Sequence, residues 1–135
     1  MSNEVTEKSL VKKVAILYSD AKREYFPTEQ LYITEAEVKG RAELIANILR
    51  AKGCVVELFP GDARLHEALL KFSPDKVINL VDSVYGKEYL AGTIPATLEL
   101  LQIPYTGSGM LAISINANKY LTKSLLEQYG VTTPK

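Results

Sequence analysis

The sequence lacks the features that mark several function classes. It holds one cysteine, Cys54, in 135 residues, so no disulfide can close within the chain, and a lone thiol suits a reducing compartment. Cys54 opens the apolar run Cys54-Val55-Val56 and is expected to be buried there as a small hydrophobe. The single histidine, His66, is expected on the exterior of a helix between Arg64 and Glu67, which leaves the thiol without a catalytic base. No stretch approaches the ~20 continuous apolar residues of a membrane span. The first eleven residues contain Glu4, Glu7 and Lys8 and no apolar core, so no secretory signal is visible and a cytoplasmic location is the expectation. An excess of one charge is absent too. Sixteen basic and sixteen acidic residues cancel, whereas a nucleic-acid binder needs a basic face. The chain has no Walker A pattern, no complete G-x-G-x-x-G and no zinc-ligand spacing.

What is present is an ordinary globular composition, 47% hydrophobic and 24% charged, in a length that fits one domain. Residues 1–12 are polar and expected to form a flexible N-terminal segment. Short apolar runs then alternate with helical periodicities. Val14 to Tyr18, Val55 to Phe59 and Lys76 to Val81 read as buried parallel strands, and Ile103-Pro104-Tyr105-Thr106 as a short fourth. Residues 19–33, with Tyr25, Phe26, Pro27 and Tyr32, read as a long and therefore functional connection. Thr34-Glu35-Ala36-Glu37 fits a capping box, with Glu37 reaching back and Glu35 left free to point at that connection. Val38, Ala42, Ile45, Ile48 and Leu49 continue at helical spacing up to Gly53, which suits the residue after a helix end. Asp62 can cap a helix bearing Leu65, Leu69 and Phe72, ended by Ser73-Pro74. A third helix over 93–101 tolerates Pro95 in its first turn. Asn118 can cap a last helix with Leu121, Leu125, Leu126 and Tyr129 facing inward, stopped by Gly130.

This alternation predicts an α/β fold: a Rossmann-like three-layer domain over 13–135, with a mostly parallel four-stranded sheet flanked by helices. Ligands of such sheets sit at the carboxyl ends of the strands, which singles out the loops after strands one, three and four. Asp82 follows the third strand directly. Gly107-Ser108-Gly109 could bring backbone amides to a phosphate, or could be a tight strand-to-helix turn, which is the preferred reading. Lys119 and Lys123 lie one helical turn apart and could both reach a polyphosphate, or could belong to a solvated face.

A longer pattern joins these pieces. Val77-Ile78-Asn79-Leu80-Val81-Asp82 is followed by Glu99, by Ile103-Pro104-Tyr105-Thr106-Gly107-Ser108-Gly109, by Asn118-Lys119, Thr122-Lys123, and by Thr133-Pro134. In order and spacing this resembles the N-terminal, pre-ATP-grasp domain of D-alanine–D-alanine ligases and related ATP-grasp proteins, whose segments read E-x-x-x-I-P-Y-T-G-S-G and D-K-x-x-(T/S)-K. Glu35-Ala36-Glu37-Val38 resembles their E-x-E-V segment. The resemblance implies an ATP-dependent carboxylate–amine ligase acting through an acyl phosphate, with ATP and Mg2+ as cofactors. It implies that Glu35 positions the substrate's ammonium, that Asp82 and Ser108 lie on the substrate side, and that Lys119 contacts nucleotide phosphate. It also implies a homodimer. Catalytic and metal-binding residues are expected in ATP-grasp domains absent from this chain, which is therefore expected to be inactive alone. Three departures bear on the substrate rather than on the reaction class. The glycine-rich loop after strand one is replaced by residues 19–33, the H-G-x-x-G-E-D-G loop is replaced from Asp82 to Tyr89 without its histidine, and Asn118 stands where the family has aspartate. The alternative reading is a stand-alone small-molecule-binding or assembly module, since such a fold hosts many functions. A flavodoxin-like nucleotide binder is disfavoured by the missing glycine fingerprint.

Overall fold

The structure, a computed structural model, describes residues 11–134. Most of the segment expected to be flexible, residues 1–10, lies outside it. Three strands carry the fold: β1 (Lys13–Tyr18), β2 (Val55–Pro60) and β3 (Lys76–Leu80). Five helices accompany them: α1 (Glu29–Ala51), α2 (Leu65–Phe72), α3 (Thr93–Leu100), α4 (Met110–Asn116) and α5 (Lys119–Gln128). The sheet is parallel in the order β2-β1-β3.

Side chains of a strand alternate between its two faces, and β1 divides its burial accordingly. Val14 and Ile16 pack with Ala42 and Ala46 of α1 and with Val56. Ala15 and Leu17 pack with Leu65, Leu69 and Phe72 of α2 and with Ile94 and Leu98 of α3. Ile16, Leu17, Leu69 and Leu98 are fully buried. The sheet is thus the middle of three layers. The small side chains Ala42 and Ala46 let α1 lie close to β1.

The fourth strand is a correction. Residues 103–106 make a single parallel bridge, Tyr105 to Val77, in which Val77 N donates to Pro104 O and Thr106 N donates to Val77 O. The ladder goes no further because the next amide, Asn79 N, donates to the Thr106 hydroxyl instead. Gly107, at φ +106°, then turns the chain away. The sheet therefore has three strands.

The start of α1 is a second correction. Thr28, extended after Pro27, accepts from Leu31 N through its side chain, so Thr34 is already inside the helix and donates to Gln30 O. Glu37 reaches forward to Arg41 at 3.2 Å rather than back to a cap. The connection after β1 shrinks to residues 19–28, with a 3-10 turn at Arg23–Tyr25. The other end matches expectation: Gly53 takes a left-handed φ of +88° and donates to Arg50 O.

Helix α5 is a third correction. Leu121, Leu125, Leu126 and Tyr129 do not face a core; α5 buries none of its residues, and Tyr129 is 85% exposed. With no fourth strand beneath them, α4 packs mainly on α3 and α5, and α5 mainly on α4. Cys54 is half-buried beside the α1 cluster rather than enclosed.

Candidate functional site

The strand order creates the site. From central β1 the chain runs through α1 to β2 on one side, then through α2 to β3 on the other. The segments leaving β1 and β3 therefore diverge, and a crevice opens at their carboxyl ends, where open parallel sheets bind ligands.

Two buried serines organise this crevice. Ser19, immediately after β1, is 2% exposed, and Ser83, beyond β3, is 5% exposed. The Ser19 hydroxyl oxygen accepts from the amides of Asp82 at 3.0 Å and Ser83 at 3.3 Å. The Ser83 hydroxyl donates to Glu35 Oε1 at 2.6 Å. Glu35 stands in the second turn of α1 and reaches the loop after β3, not the connection after β1.

The resulting cleft, about 320 Å³, is lined by Glu35, Val81, Asp82, Glu88, Ile113 and Asn116 among others. Its polar wall carries three carboxylates. Burial raises the Asp82 carboxyl above the ordinary aspartate range, and the nearby carboxylates of Glu35 and Glu88 push it the same way, against Arg41. The cleft therefore favours an incoming positive charge. Among the described residues no group of three Asp, Glu, His or Cys side chains lies close enough together to hold a metal ion.

The loop carrying Asp82 is held by a tight turn. Val84 and Lys87 form an antiparallel bridge, with Tyr85 at φ 54° and Gly86 at φ 70° between them, the backbone of a two-residue hairpin turn. Tyr85 packs edge-on against Tyr25 at 5.9 Å, and its hydroxyl accepts from Ala63 N. A Cβ on Gly86 would lie 2.6 Å from Tyr25 O, so glycine is required both for conformation and for space. The segments after all three strands are thereby tied together.

The other expected residues lie apart from the cleft. Ser108 is exposed just ahead of α4 and is not part of the lining. Glu99 Oε1 accepts from Tyr105 OH at 2.6 Å and from Met110 N at 3.0 Å, so an internal carboxylate already occupies the start of α4. These hydrogen bonds hold Glu99 below the ordinary glutamate range. Residues 107–109 thus match the tight-turn reading. Lys119 is exposed at the first position of α5, behind the Asn118 cap on Leu121 N. Lys123 instead donates to Pro134 O at 2.7 Å. His66 is exposed, as expected.

Sequence reading missed Ser19, Ser83 and Glu88. Ser19 had one signal, as the first polar residue after an apolar strand. Ser83 and Glu88 had none beyond their proximity to Asp82.

Comparison with known proteins bears on the family. No family model matches the chain. It is 37% identical over 90 residues to the D-alanine–D-alanine ligase of Aquifex aeolicus, a match covering 67% of this chain and 30% of that protein. It is 30% identical over 126 residues to that of Pelagibacter ubique, covering 93% of this chain and 37% of the relative. The crystal structure of D-alanine–D-alanine ligase from Bacillus anthracis superposes with a TM-score of 0.59 at 28% identity, over 93% of this chain and 37% of that one; the same enzyme complexed with ATP gives 0.58 at 27%. The chain spans roughly a third of the length of these relatives. By sequence and fold together, the chain is similar to D-alanine–D-alanine ligases over about a third of their length, and its fold matches their N-terminal domain.

Proposed function

We propose that this domain forms the amine-side wall of an ATP-dependent carboxylate–amine ligase. The carrying observation is the cleft at the divergence of β1 and β3, where Glu35, hydrogen-bonded by Ser83, faces the same space as Asp82 and Glu88. Glu35 receives the ammonium of an amino-acid substrate, and Asp82, raised by its surroundings, lowers its proton affinity as the cation arrives. Ser108 offers a hydroxyl from the exposed turn before α4. The parent reaction activates a carboxylate as an acyl phosphate at the expense of ATP and then lets the amine displace phosphate.

The same reading gives this domain one phosphate contact. Lys119 is an exposed ammonium that forms no ion pair among the described residues and would bind nucleotide phosphate. In this proposal the Mg2+ chemistry lies in the rest of a full-length ligase, and the expected outcome for the chain alone is no ATP hydrolysis. Reduced Cys54 and ATP supply both suit the cytoplasm. The exposed apolar side chains of α4 and α5 favour self-association as a homodimer.

The deciding experiment titrates the chain with D-alanine and follows amide shifts. The residues around Glu35 and Asp82 should respond, and Glu35→Gln should abolish the response; unchanged binding by that variant defeats the proposal. In a ligase carrying this domain, Lys119→Ala should raise the apparent KM for ATP by roughly tenfold, the scale of one charge-assisted hydrogen bond. Lys123→Ala should not.

A further inference from the structure

Among the described residues, the buried polar side chains are Ser19 and Ser83, and both serve one connection. Ser19 hangs from the end of the central strand and fixes the Asp82 and Ser83 amides. Ser83, so fixed, donates its hydroxyl proton to Glu35 Oε1. A buried hydroxyl without a partner is costly, so the pair satisfies itself only while Glu35 stays turned toward the cleft. Glu35 has three side-chain torsions and would otherwise sample solvent from the α1 surface. Among the described residues no donor is hydrogen-bonded to its Oε2, whereas Oε1 accepts from Ser83.

We infer that Ser83, seated on Ser19, is a positioning residue that locks the Glu35 side chain and presents Glu35 Oε2 to the ammonium of the substrate. This deepens the reading of the cleft as an amine site and rests on it. It assigns affinity to a residue that does not touch the ligand, because the ordering of a long side chain is settled before binding.

The test compares the wild-type chain with Ser83→Ala and Ser83→Thr by two readouts. The first is the titration of the Asp82 carboxyl by carbon-detected NMR. The groups facing Asp82 are Glu35 and Arg41 on α1 and Glu88 beyond β3. If Ser83→Ala releases Glu35, Asp82 loses a neighbouring negative charge and its titration moves down toward the ordinary aspartate range. The second is D-alanine affinity from amide shifts, expected to weaken roughly tenfold in Ser83→Ala, the scale of one charge-assisted contact. Ser83→Thr, which keeps the hydroxyl, should restore both. A purely structural serine would change thermal stability and leave the Asp82 titration in place.

Retention of the wild-type titration and affinity by Ser83→Ala overturns the inference, as does a threonine variant that behaves like alanine. If the alanine variant does not fold, Ser83→Cys keeps the bulk with only a weak donor, and the same readouts decide. A wild-type chain that ignores D-alanine sinks the amine-site reading, and with it the ligand half of the inference; a downward Asp82 shift in Ser83→Ala would still uphold the locking of Glu35.

Discussion

Asp82 has its proton affinity raised by the fold itself. Its carboxyl is raised in the folded state, by burial first and by Glu35 next, so the folded chain holds that proton more tightly than the unfolded chain. The ionised form therefore costs stability. That cost is absent below the unfolded value of ~3.9, grows as pH rises through the folded value, and is full above it. Asp82→Asn should accordingly stabilise the chain at neutral pH, by no more than about 1 kcal/mol because the side chain is only partly withdrawn from solvent. The gain should vanish in acid. Denaturant melts at pH 7 and pH 3 measure the difference; an equal effect at both would mean that charge is not the cause.

At the scale of elements, the turn of residues 84–87 fixes the geometry of the cleft loop. Gly86→Ala forces a side chain into a left-handed conformation and against the Tyr25 carbonyl. It should cost about 1–3 kcal/mol, visible as a lower denaturation midpoint. Tyr85→Phe removes only the acceptor for Ala63 N and should cost about 0.5–1.5 kcal/mol. The same scale separates what could be read in advance from what could not. β1 is a continuous apolar run after Lys13, and β2 and β3 are apolar runs each interrupted by one polar residue, Glu57 and Asn79; runs of that kind announce themselves without knowledge of their neighbours. The segment at 103–106 has the same look, but whether it joins the sheet depends on Asn79 N choosing the Thr106 hydroxyl, which no local pattern encodes. Thr34 fits a capping pattern, but Thr28, extended after Pro27, accepts from Leu31 N and starts the helix six residues earlier. Glu35 and Asp82 could be singled out by resemblance and by position after a strand. Ser83 could not, and Ser19 only by its place after a strand, because the bond between their loops exists only once strands far apart in sequence lie side by side.

For the whole molecule, three carboxyls respond to acid in the opposite sense from Asp82. Burial alone would raise Asp62, but hydrogen bonds from the Arg64 guanidinium and amide outweigh it and hold it low. Asp75 is held low by the amides of Lys13 and Lys12, and Glu99 by Tyr105 and Met110. Each is depressed when folded. Its contribution is complete above the unfolded values of ~3.9–4.3 and is lost as pH falls through the folded value. The midpoint of thermal unfolding should therefore hold steady from pH 7 to about pH 5 and fall below pH 4. In Asp75→Asn that acid slope should be shallower, and an unchanged slope would show that Asp75 is not part of it.

The order β2-β1-β3 also sets a timetable. β1 is the first strand in the chain and the middle one in the sheet, so its partners come later on both sides: Lys13 meets Val55, and Val14 meets Lys76. Neither pairing can form until a whole helical connection has been spanned, and closing such loops precedes any reward from the contacts. The chain is accordingly expected to refold in milliseconds to seconds rather than microseconds, with β1 docking as the committing event. Ile16→Val, which trims about 0.5–1.5 kcal/mol from the centre of the sheet, should slow refolding by most of that amount and barely change unfolding. In stopped-flow measurements the loss would appear on the refolding limb; a loss confined to the unfolding limb would place β1 among the last elements to arrive.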